Sequence, residues 1–446
     1  MKIILINSPI RLKANPSCIP YGLATIASTL REYGFDVEIY DINALRPSKN
    51  EIITTLSKKK WDIIGISGLI TTYQFQKWLI TEIKNIKPDG IIISGGGLAT
   101  SNSTFLFNKT DVDITVHGEG EDTMLNLCQT LQSGKNLNEI DGISFRQNAN
   151  VIVNPKRKNI KNLDSIPFPA WDLLPMEIYL KNPIWGTNAV NSSSFKEGIK
   201  VTRSMNIISS RGCPFACNFC YHLFGNSDYR FRSAKNVIEE IEVLVDQYRV
   251  DFIGFVDDNM MASEKRLLEF CDLMEKKKFP ITWGCHGRVT SAKQEILNRM
   301  AEVGCVWIGY GIESGSQKIL DAMNKRVTVS QAKEAIINTR KASIYANTTF
   351  IFGYPSESLE TIQETINFKR EMNINCPSFF ATPYPCTPLY EQMKHIIGNE
   401  EAFIQSLGDA TDFSINCTSF DNELLFFLKD RMDNNKDVIS SFASLL

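Results

Sequence analysis

Short apolar runs alternate with stretches of helical spacing along most of this chain, and that alternation narrows the folds open to it. Ile3-Ile4-Leu5-Ile6, within Lys2–Asn7, is apolar at consecutive positions, as a strand covered on both faces must be. Tyr21–Tyr33 then sets Leu23, Ile26, Ala27 and Leu30 on one helical face, and Gly34 closes it. Val37–Tyr40, Ile63–Ser67, Ile91–Ser94 and Ile114–Val116 read as further strands with helices between them. The pattern predicts an α/β domain over residues 1–150, built on a doubly wound, Rossmann-like parallel sheet. Gly65-Ile66-Ser67-Gly68, Gly95-Gly96-Gly97 and Gly118-Glu119-Gly120-Glu121 all follow strands, and ligands of such sheets lie at strand carboxyl ends.

Residues 151–204 change character. Asn159, Asn162, Pro167, Pro169, Pro175 and Pro183 predict an irregular linker, ordered at first with Trp171 packing it down, then flexible near 187–200 around Asn191-Ser192-Ser193-Ser194. The alternation resumes over 205–390, with strands expected at Asn206–Ser210, Phe252–Val256, Ile281–Cys285, Val306–Gly311, Thr348–Phe352 and Ser378–Thr382. Val237, Ile241, Leu244 and Tyr248 share one helical face, and Thr328-Val329-Ser330-Gln331 is a capping box opening another helix. Repeated β–α units predict a partial (β/α)6 TIM-type barrel with its chemistry at the strand carboxyl ends. Residues 391–446 read as a helical C-terminal region without a motif.

With 446 residues, 43% hydrophobic and 22% charged, the chain can form two or three domains with real cores. A formal net charge of −2 gives no basic excess for nucleic acid. The apolar start Met1–Ile6 is too short for a signal segment, and no run approaches the ~18 apolar residues of a membrane span. A soluble, cytoplasmic protein is the expectation.

Of eleven cysteines, Cys18, Cys128, Cys271, Cys285, Cys305, Cys376, Cys386 and Cys417 are scattered and read as reduced thiols. The other three lie within Cys213-Pro214-Phe215-Ala216-Cys217-Asn218-Phe219-Cys220, just after the first strand of the second α/β region. Three thiols so close on one loop suit an inorganic centre, and Fe–S clusters are held by cysteine thiolates. Four irons and three thiolates leave one iron open, as a catalytic metal requires. A zinc knot with a distant fourth ligand, a closed electron-transfer cluster and a coincidence of core cysteines are the competing readings.

The spacing Cys-x-x-x-Cys-x-x-Cys after a first barrel strand, with an aromatic before the last cysteine, resembles the radical S-adenosylmethionine (SAM) superfamily. The resemblance extends over roughly residues 205–390. Gly254-Phe255-Val256-Asp257-Asp258-Asn259, Arg288, Gly311-Ile312-Glu313-Ser314-Gly315 and Phe352-Gly353-Tyr354-Pro355-Ser356-Glu357 resemble segments that end its second to fifth strands. It implies a 4Fe–4S cluster on Cys213, Cys217 and Cys220, with SAM chelating the fourth iron through its amino and carboxylate groups. An electron from the cluster would cleave SAM to a 5′-deoxyadenosyl radical that abstracts hydrogen from a substrate. The SAM contacts implied are Phe219, Asp257, Asp258, Arg288, Glu313, Ser314, Gly353 and Pro355. An external electron donor of flavodoxin or ferredoxin type and a small-molecule or natural-product precursor as substrate are implied as partners. Read without the family, a zwitterion with a ribose also calls for carboxylate, cationic and hydroxyl groups. Asp257 and Asp258 equally suit a helix cap or turn, Arg288 a surface ion pair, and Gly353 and Pro355 a turn.

Residues 1–145 resemble the cobalamin-binding domain that precedes this barrel in one large subclass, on Pro20-Tyr21-Gly22-Leu23, Gly65-Ile66-Ser67, Ser94-Gly95-Gly96-Gly97 and Gly118-Glu119-Gly120-Glu121. The implied cobalamin contacts are Tyr21, Gly22, Leu23, Ser67, Gly68, Gly95, Gly96, Gly97, Gly118 and Glu119. Gly-Glu-Gly-Glu also suits a plain turn before a helix at Thr123–Leu131. The Asp-x-His-x-x-Gly loop of other cobalamin proteins is missing, and no histidine precedes His117, which reads as a turn residue. The expectation is cobalt without an imidazole from that loop, covered below by Leu69–Phe75, with Tyr73 or water approaching the metal. Three activities fit: methylation of an unactivated carbon, an oxidative cyclisation, rearrangement or dehydrogenation with the same cofactors, and iron–sulfur electron transfer or binding without SAM chemistry. Tyr384, Cys386 and Tyr390 are candidate substrate-pocket residues.

Overall fold

In the computed structural model, residues 1–148, 150–181, 200–222, 229–408 and 412–439 are described. The chain divides into two units, Met1–Asn182 with Asn399–Leu407, and Pro183–Gly398 with Gly408–Leu446. Among the described residues no helix is long and apolar enough to cross a membrane.

In the first unit, β1 (Lys2–Asn7), β2 (Asp36–Asp41), β3 (Ile63–Ser67), β4 (Ile91–Gly95), β5 (Ile114–Val116), β6 (Ile143–Gln147) and β7 (Asn150–Val153) form one sheet in the order β2-β1-β3-β4-β5-β6-β7. The first five pair in parallel, with Ile3 opposite Val37 on one side and Ile63 on the other. The β-branched runs are the reason, since Ile4, Ile6, Ile64, Ile66 and Ile92 are buried in one core with Leu79, Ile80, Ile83 and Leu106. Each such side chain contributes ~1.5–3 kcal/mol by leaving water. β6 and β7 add antiparallel, an extension that the sequence reading did not contain. Helix Tyr21–Glu32 packs Leu23, Ala27 and Leu30 inward as the spacing predicts, with Ala24 buried beside them, while Ile26 is only half-buried. The opening of the linker folds onto this helix. Trp171 meets Tyr21 edge to face at 6.0 Å, and Ala170 donates its N–H to the Ala24 carbonyl at 3.0 Å. The stretch expected to be flexible near 187–200 lies outside the described residues, Lys200 excepted.

In the second unit, β8 (Ser204–Ile207) leads to a short antiparallel ribbon, β9 (Ser210–Arg211) against β10 (Arg230–Phe231). Then come β11 (Phe252–Phe255), β12 (Thr282–Gly287), β13 (Cys305–Glu313), β14 (Tyr345–Phe352) and β15 (Phe379–Phe380). The sheet runs β8-β11-β12-β13-β14-β15, every pair parallel, curled as a half-barrel. Helices fill the crossovers, and Phe255, Phe270 and Trp283 meet edge to face between sheet and helix. Thr328 and Gln331 form the expected capping box. The last strand is shorter than expected, Phe379–Phe380 in place of Ser378–Thr382, although Ala381 still donates its N–H to the Phe352 carbonyl at 2.8 Å.

Helix Glu400–Ser406 belongs to the first unit although it comes late in the chain. Glu401 ties it down by accepting from Tyr73 Oη at 2.6 Å and Lys77 Nζ at 2.7 Å, with Lys109 Nζ at 2.9 Å. Those donors, Lys77 first, then Tyr73 and Lys109, pull the Glu401 carboxyl down to about 2. The depressed value means the stabilisation is fully present above the ordinary carboxylate range and fades as pH falls toward 2. Glu401→Gln is expected to destabilise the chain by ~1 kcal/mol at pH 7, and the gap to the parent should narrow between pH 5 and pH 3 in urea unfolding. A gap independent of pH would show that the ion pairs contribute nothing.

Candidate functional site

The cysteine loop leaves the half-barrel at the carboxyl end of β8, and its two ends are fixed before any cysteine is reached. Asp257, just past β11, accepts from the Ser209 N–H at 3.0 Å and the Ser209 hydroxyl at 2.8 Å, and also from the Ser210 hydroxyl. Arg266 donates to the Ser209 carbonyl at 3.0 Å and the Arg232 carbonyl at 2.8 Å, so one guanidinium holds the entry and exit of the loop together. Farther along, Asn218 donates its N–H to Met323 O at 2.9 Å and its amide to Ala322 O at 3.0 Å. Asn324 returns a bond to Ala216 O at 2.6 Å.

Around this loop the charges are uneven. Arg288, 8% exposed, lies after β12 with its guanidinium 3.7 Å from the centre of the Phe215 ring and Nη1 3.9 Å from Cys217 Sγ. Its Nε and Nη2 are buried with no partner among the described residues, and so are both side-chain polar atoms of Asn259. Asp258 is held above its usual pKa by burial and by Asp257. Burial raises the Cys213 thiol, the Phe215 N–H and Arg288 oppose, and Asp258 and Cys217 add to the rise. Glu313 pairs with Lys325 at 2.7 Å, both side chains buried or nearly so.

The residues singled out in the sequence divide by what they do here. Asp257 is spent on Ser209 and Ser210, whereas Asp258 and Arg288 both act on Cys213. The Ser314 hydroxyl meets Thr365 Oγ1 at 3.0 Å inside the core. Gly353 takes φ +83° and donates its N–H to Glu357 at 2.5 Å, in the turn that Pro355 continues. Phe219 packs against Ile319, Met323, Tyr354 and Leu389. Sequence reasoning missed Phe215, Asn218, Asn259, Asn324 and Lys325. Two of these lie inside the cysteine motif, and Lys325 belongs to no motif at all.

Among the described residues, no three His, Cys, Asp or Glu side chains converge on a single metal ion. A cube of four irons does not ask for that, because each thiolate binds its own iron. A thiol donor set beside an unpaired buried cation fits a cluster with an anionic ligand.

In the first unit, the sheet order changes direction between β1 and β3, and ligands of open α/β sheets bind at such a switch point. The Ser8 hydroxyl is buried there with no partner among the described residues. Gly22 and Gly118 face open space, so this edge of the sheet offers a smooth shelf for a large flat ligand. Gly96, at φ +84°, lies so close to Gly68 that an added Cβ would fall 2.9 Å from the Gly68 oxygen. Gly95 and Gly97 flank it, and the latter opens helix Gly97–Ser101. Ser67 ends β3 and is half-buried, Leu23 is buried, and Tyr21 rests on Trp171. Glu119 is buried and accepts the Ile160 N–H at 2.5 Å. His117 Nε2 lies 2.9 Å from Thr115 Oγ1 and 3.3 Å from Ser144 Oγ, and burial lowers its pKa. Tyr73 departs from expectation: it is buried with its hydroxyl on Glu401, so it does not approach a metal from below.

The radical SAM superfamily family model matches residues 207–368, and the B12 binding domain model matches residues 7–128. An uncharacterised methyltransferase of Pyrococcus horikoshii is 32% identical over 400 residues, covering 88% of this chain and 83% of that protein. The chain belongs to the cobalamin-dependent radical SAM methyltransferase family. Family membership brings three cofactors, a 4Fe–4S cluster, SAM and cobalamin. This radical SAM chain is also 28% identical over 387 residues to the anaerobic magnesium-protoporphyrin IX monomethyl ester cyclase of Rubrivivax gelatinosus, covering 84% of the chain and 66% of that enzyme. The radical SAM methyltransferase TsrM from Kitasatospora setae, solved with cobalamin and a 4Fe–4S cluster bound, shares the fold. The TM-score is 0.69 at 17% identity, over 89% of this chain and 76% of TsrM.

Glu357 gives this site a pH signature. Burial pushes its carboxyl up to about 8, although the Gly353 N–H that it accepts at 2.5 Å and the Tyr354 backbone pull it the other way. The folded state therefore keeps a proton that the unfolded chain releases near pH 4.5, and stability falls as pH rises from there through 8. Glu357→Gln, which imitates the protonated form, is expected to melt above the parent at pH 9 by at least ~2 °C, the effect of ~1 kcal/mol in a domain of this size. The two should melt together near pH 5. A variant less stable than its parent at both values would refute the neutral assignment.

Proposed function

We propose that this chain transfers a methyl group to an unactivated carbon of a small biosynthetic intermediate, using all three cofactors of its family. The observation that carries the reading is Arg288, a buried guanidinium against the middle cysteine of the triad, two of whose nitrogens have no partner among the described residues. A buried cation is costly without an anion, and none of the described residues supplies one to Arg288. Cys213, Cys217 and Cys220 are the residues to hold the cluster, and Arg288 offers a planar fork to the SAM carboxylate. Asp258 and Glu313 offer acceptors for the SAM ammonium group, with Phe219, Ser314, Gly353 and Pro355 shaping the rest of the pocket. Asp257 belongs with them as the brace of the loop. When bound, the cluster and SAM supply the hydrogen-abstracting radical and cobalamin the methyl group, chemistry that belongs to the cofactors.

On the sheet of the first unit, residues 1–150 are the cobalamin domain, with Gly22, Gly68, Gly95, Gly96, Gly97 and Gly118 forming the shelf. His117 serves Thr115 and Ser144, so it supplies no imidazole to cobalt. Residues 205–390 are the SAM domain, 151–204 the linker and 391–446 a C-terminal region. A low-potential protein such as a flavodoxin or ferredoxin delivers the electron. The likeness to the Rubrivivax enzyme supports a second reading, oxidative cyclisation without methyl transfer.

Two outcomes test the proposal. Anaerobically reconstituted parent should hold about four irons, and Cys217→Ala should lose most of them while Cys271→Ala keeps them all. Full iron in Cys217→Ala would sink the cluster assignment. With cobalamin, reductant, SAM and an extract containing the substrate, S-adenosylhomocysteine should accumulate alongside 5′-deoxyadenosine, the first reporting methyl transfer and the second hydrogen abstraction. Formation of 5′-deoxyadenosine alone would leave the cyclase reading in its place.

A further inference from the structure

Lys325 has no part in the sequence motifs, yet three unusual backbone positions serve to place it. Glu313, its partner at 2.7 Å, takes φ +65° where the pairing of β13 with β14 slips between Gly311 and Glu313. Asn324 and Arg326, on either side of Lys325, take φ +52° and +53°. Left-handed backbone is tolerated at an asparagine such as Asn324 but is unfavourable at Glu313 and Arg326, where the surroundings must impose it. Gly311 completes the cradle, since a Cβ there would fall 2.1 Å from Glu313 Oε1 and 3.1 Å from Lys325 Nζ. The Lys325 ammonium lies 5.7 Å from the ring centre of Phe219, the residue before Cys220.

We propose that the Lys325–Glu313 pair sets the reduction potential of the cluster at Cys220, Lys325 raising it and Glu313 lowering it. The inference rests on the cluster assignment made above. One-electron reduction adds one negative charge to the cluster and takes up no proton, so a cation close by and shielded from water favours the reduced state and an anion disfavours it. Lys325 is a positioning residue in this scheme and touches no reacting atom.

The test is a redox titration of the anaerobically reconstituted full chain with dithionite, without SAM, followed by electron paramagnetic resonance. Glu313→Gln leaves the lysine charge alone, and Glu313→Gln with Lys325→Gln removes both charges. The first should reduce more readily than the second by at least threefold in equilibrium constant, which at 59 mV per tenfold for one electron is ~28 mV. Lys325→Gln alone should shift the potential below that of the parent, and Lys325→Arg should restore it. Loss of packing would move the single variants the same way, so opposite shifts separate charge from structure. Equal potentials in the lone-lysine and neutral variants, with iron content intact, would overturn the proposal. Should Lys325→Gln lose its iron, Glu313→Gln decides, and a potential at or below that of the parent overturns it. A parent protein with no reducible cluster would instead refute the assignment on which the inference rests.

Discussion

Parallel strands cannot be joined by tight turns. Each needs a crossover along the face of the sheet, and the crossovers are right-handed, so all the carboxyl ends of a parallel sheet emerge at one edge. The half-barrel obeys this throughout, and its consequences reach every candidate residue in it. Ser209, Asp257, Arg288, Glu313 and Gly353 are far apart in the chain and meet because each follows its own strand by a residue or two, or ends it. In the open sheet of the first unit, the same constraint gathers Ser8, Ser67, Gly95 and Gly118 at one edge, although the helices between them share no sequence.

Edges supply the residues, but a cluster loop also needs to be held. Cysteine thiolates can tether a cube only if the backbone between them is already close to its final course, because ordering a free loop costs ~1–2 kcal/mol per residue. Here that ordering is done by groups that carry no sulfur. Asp257 and Arg266 fix the ends, and Asn218 and Asn324 fix the middle against residues 322–323 and 216. Arg232 and Glu240 form a buried pair beside the ribbon, so the cation at the loop exit is neutralised within the protein. Arg288 is the contrast. It is as buried as Arg232, but among the described residues it has an aromatic face and a thiol beside it rather than a carboxylate, as a cation kept for a ligand would.

How far this was legible from sequence follows from what kind of information each feature carries. Strands such as Ile63–Ser67 and Ile91–Ser94 are legible because burial on two faces demands an unbroken apolar run, and such runs stand out. The hairpin of β6 and β7 is not, because Ser144, Arg146 and Gln147 give it a mixed face and its outer strand leaves Val151 and Val153 exposed. Within the site, the cysteines are legible by spacing, and Arg288 by its place after a strand. Asp257 shows the limit of that logic. Its position next to Asp258 suggested an equal role, but the backbone sends the two carboxyls to different neighbours, and nothing in the dipeptide announces it. Tyr73 fails for the same reason, since its partner Glu401 is supplied by a helix more than three hundred residues away.

Lys325 was invisible for a deeper reason. Its significance lies in a contact with Glu313 that fits only because Gly311 lacks a side chain, with Glu313 in a left-handed backbone, and neither fact is encoded locally at position 325. Burying an ion pair rarely gains stability over an apolar pair of the same size, because desolvation offsets most of the attraction. A fold that strains its backbone to keep such a pair must be constrained by something other than its own stability. A cluster whose charge changes by one unit at each reduction is a partner of that kind. It responds to a nearby dipole in proportion to the field rather than to the contact area, so a pair that contributes little to folding can still shift an electron-transfer equilibrium.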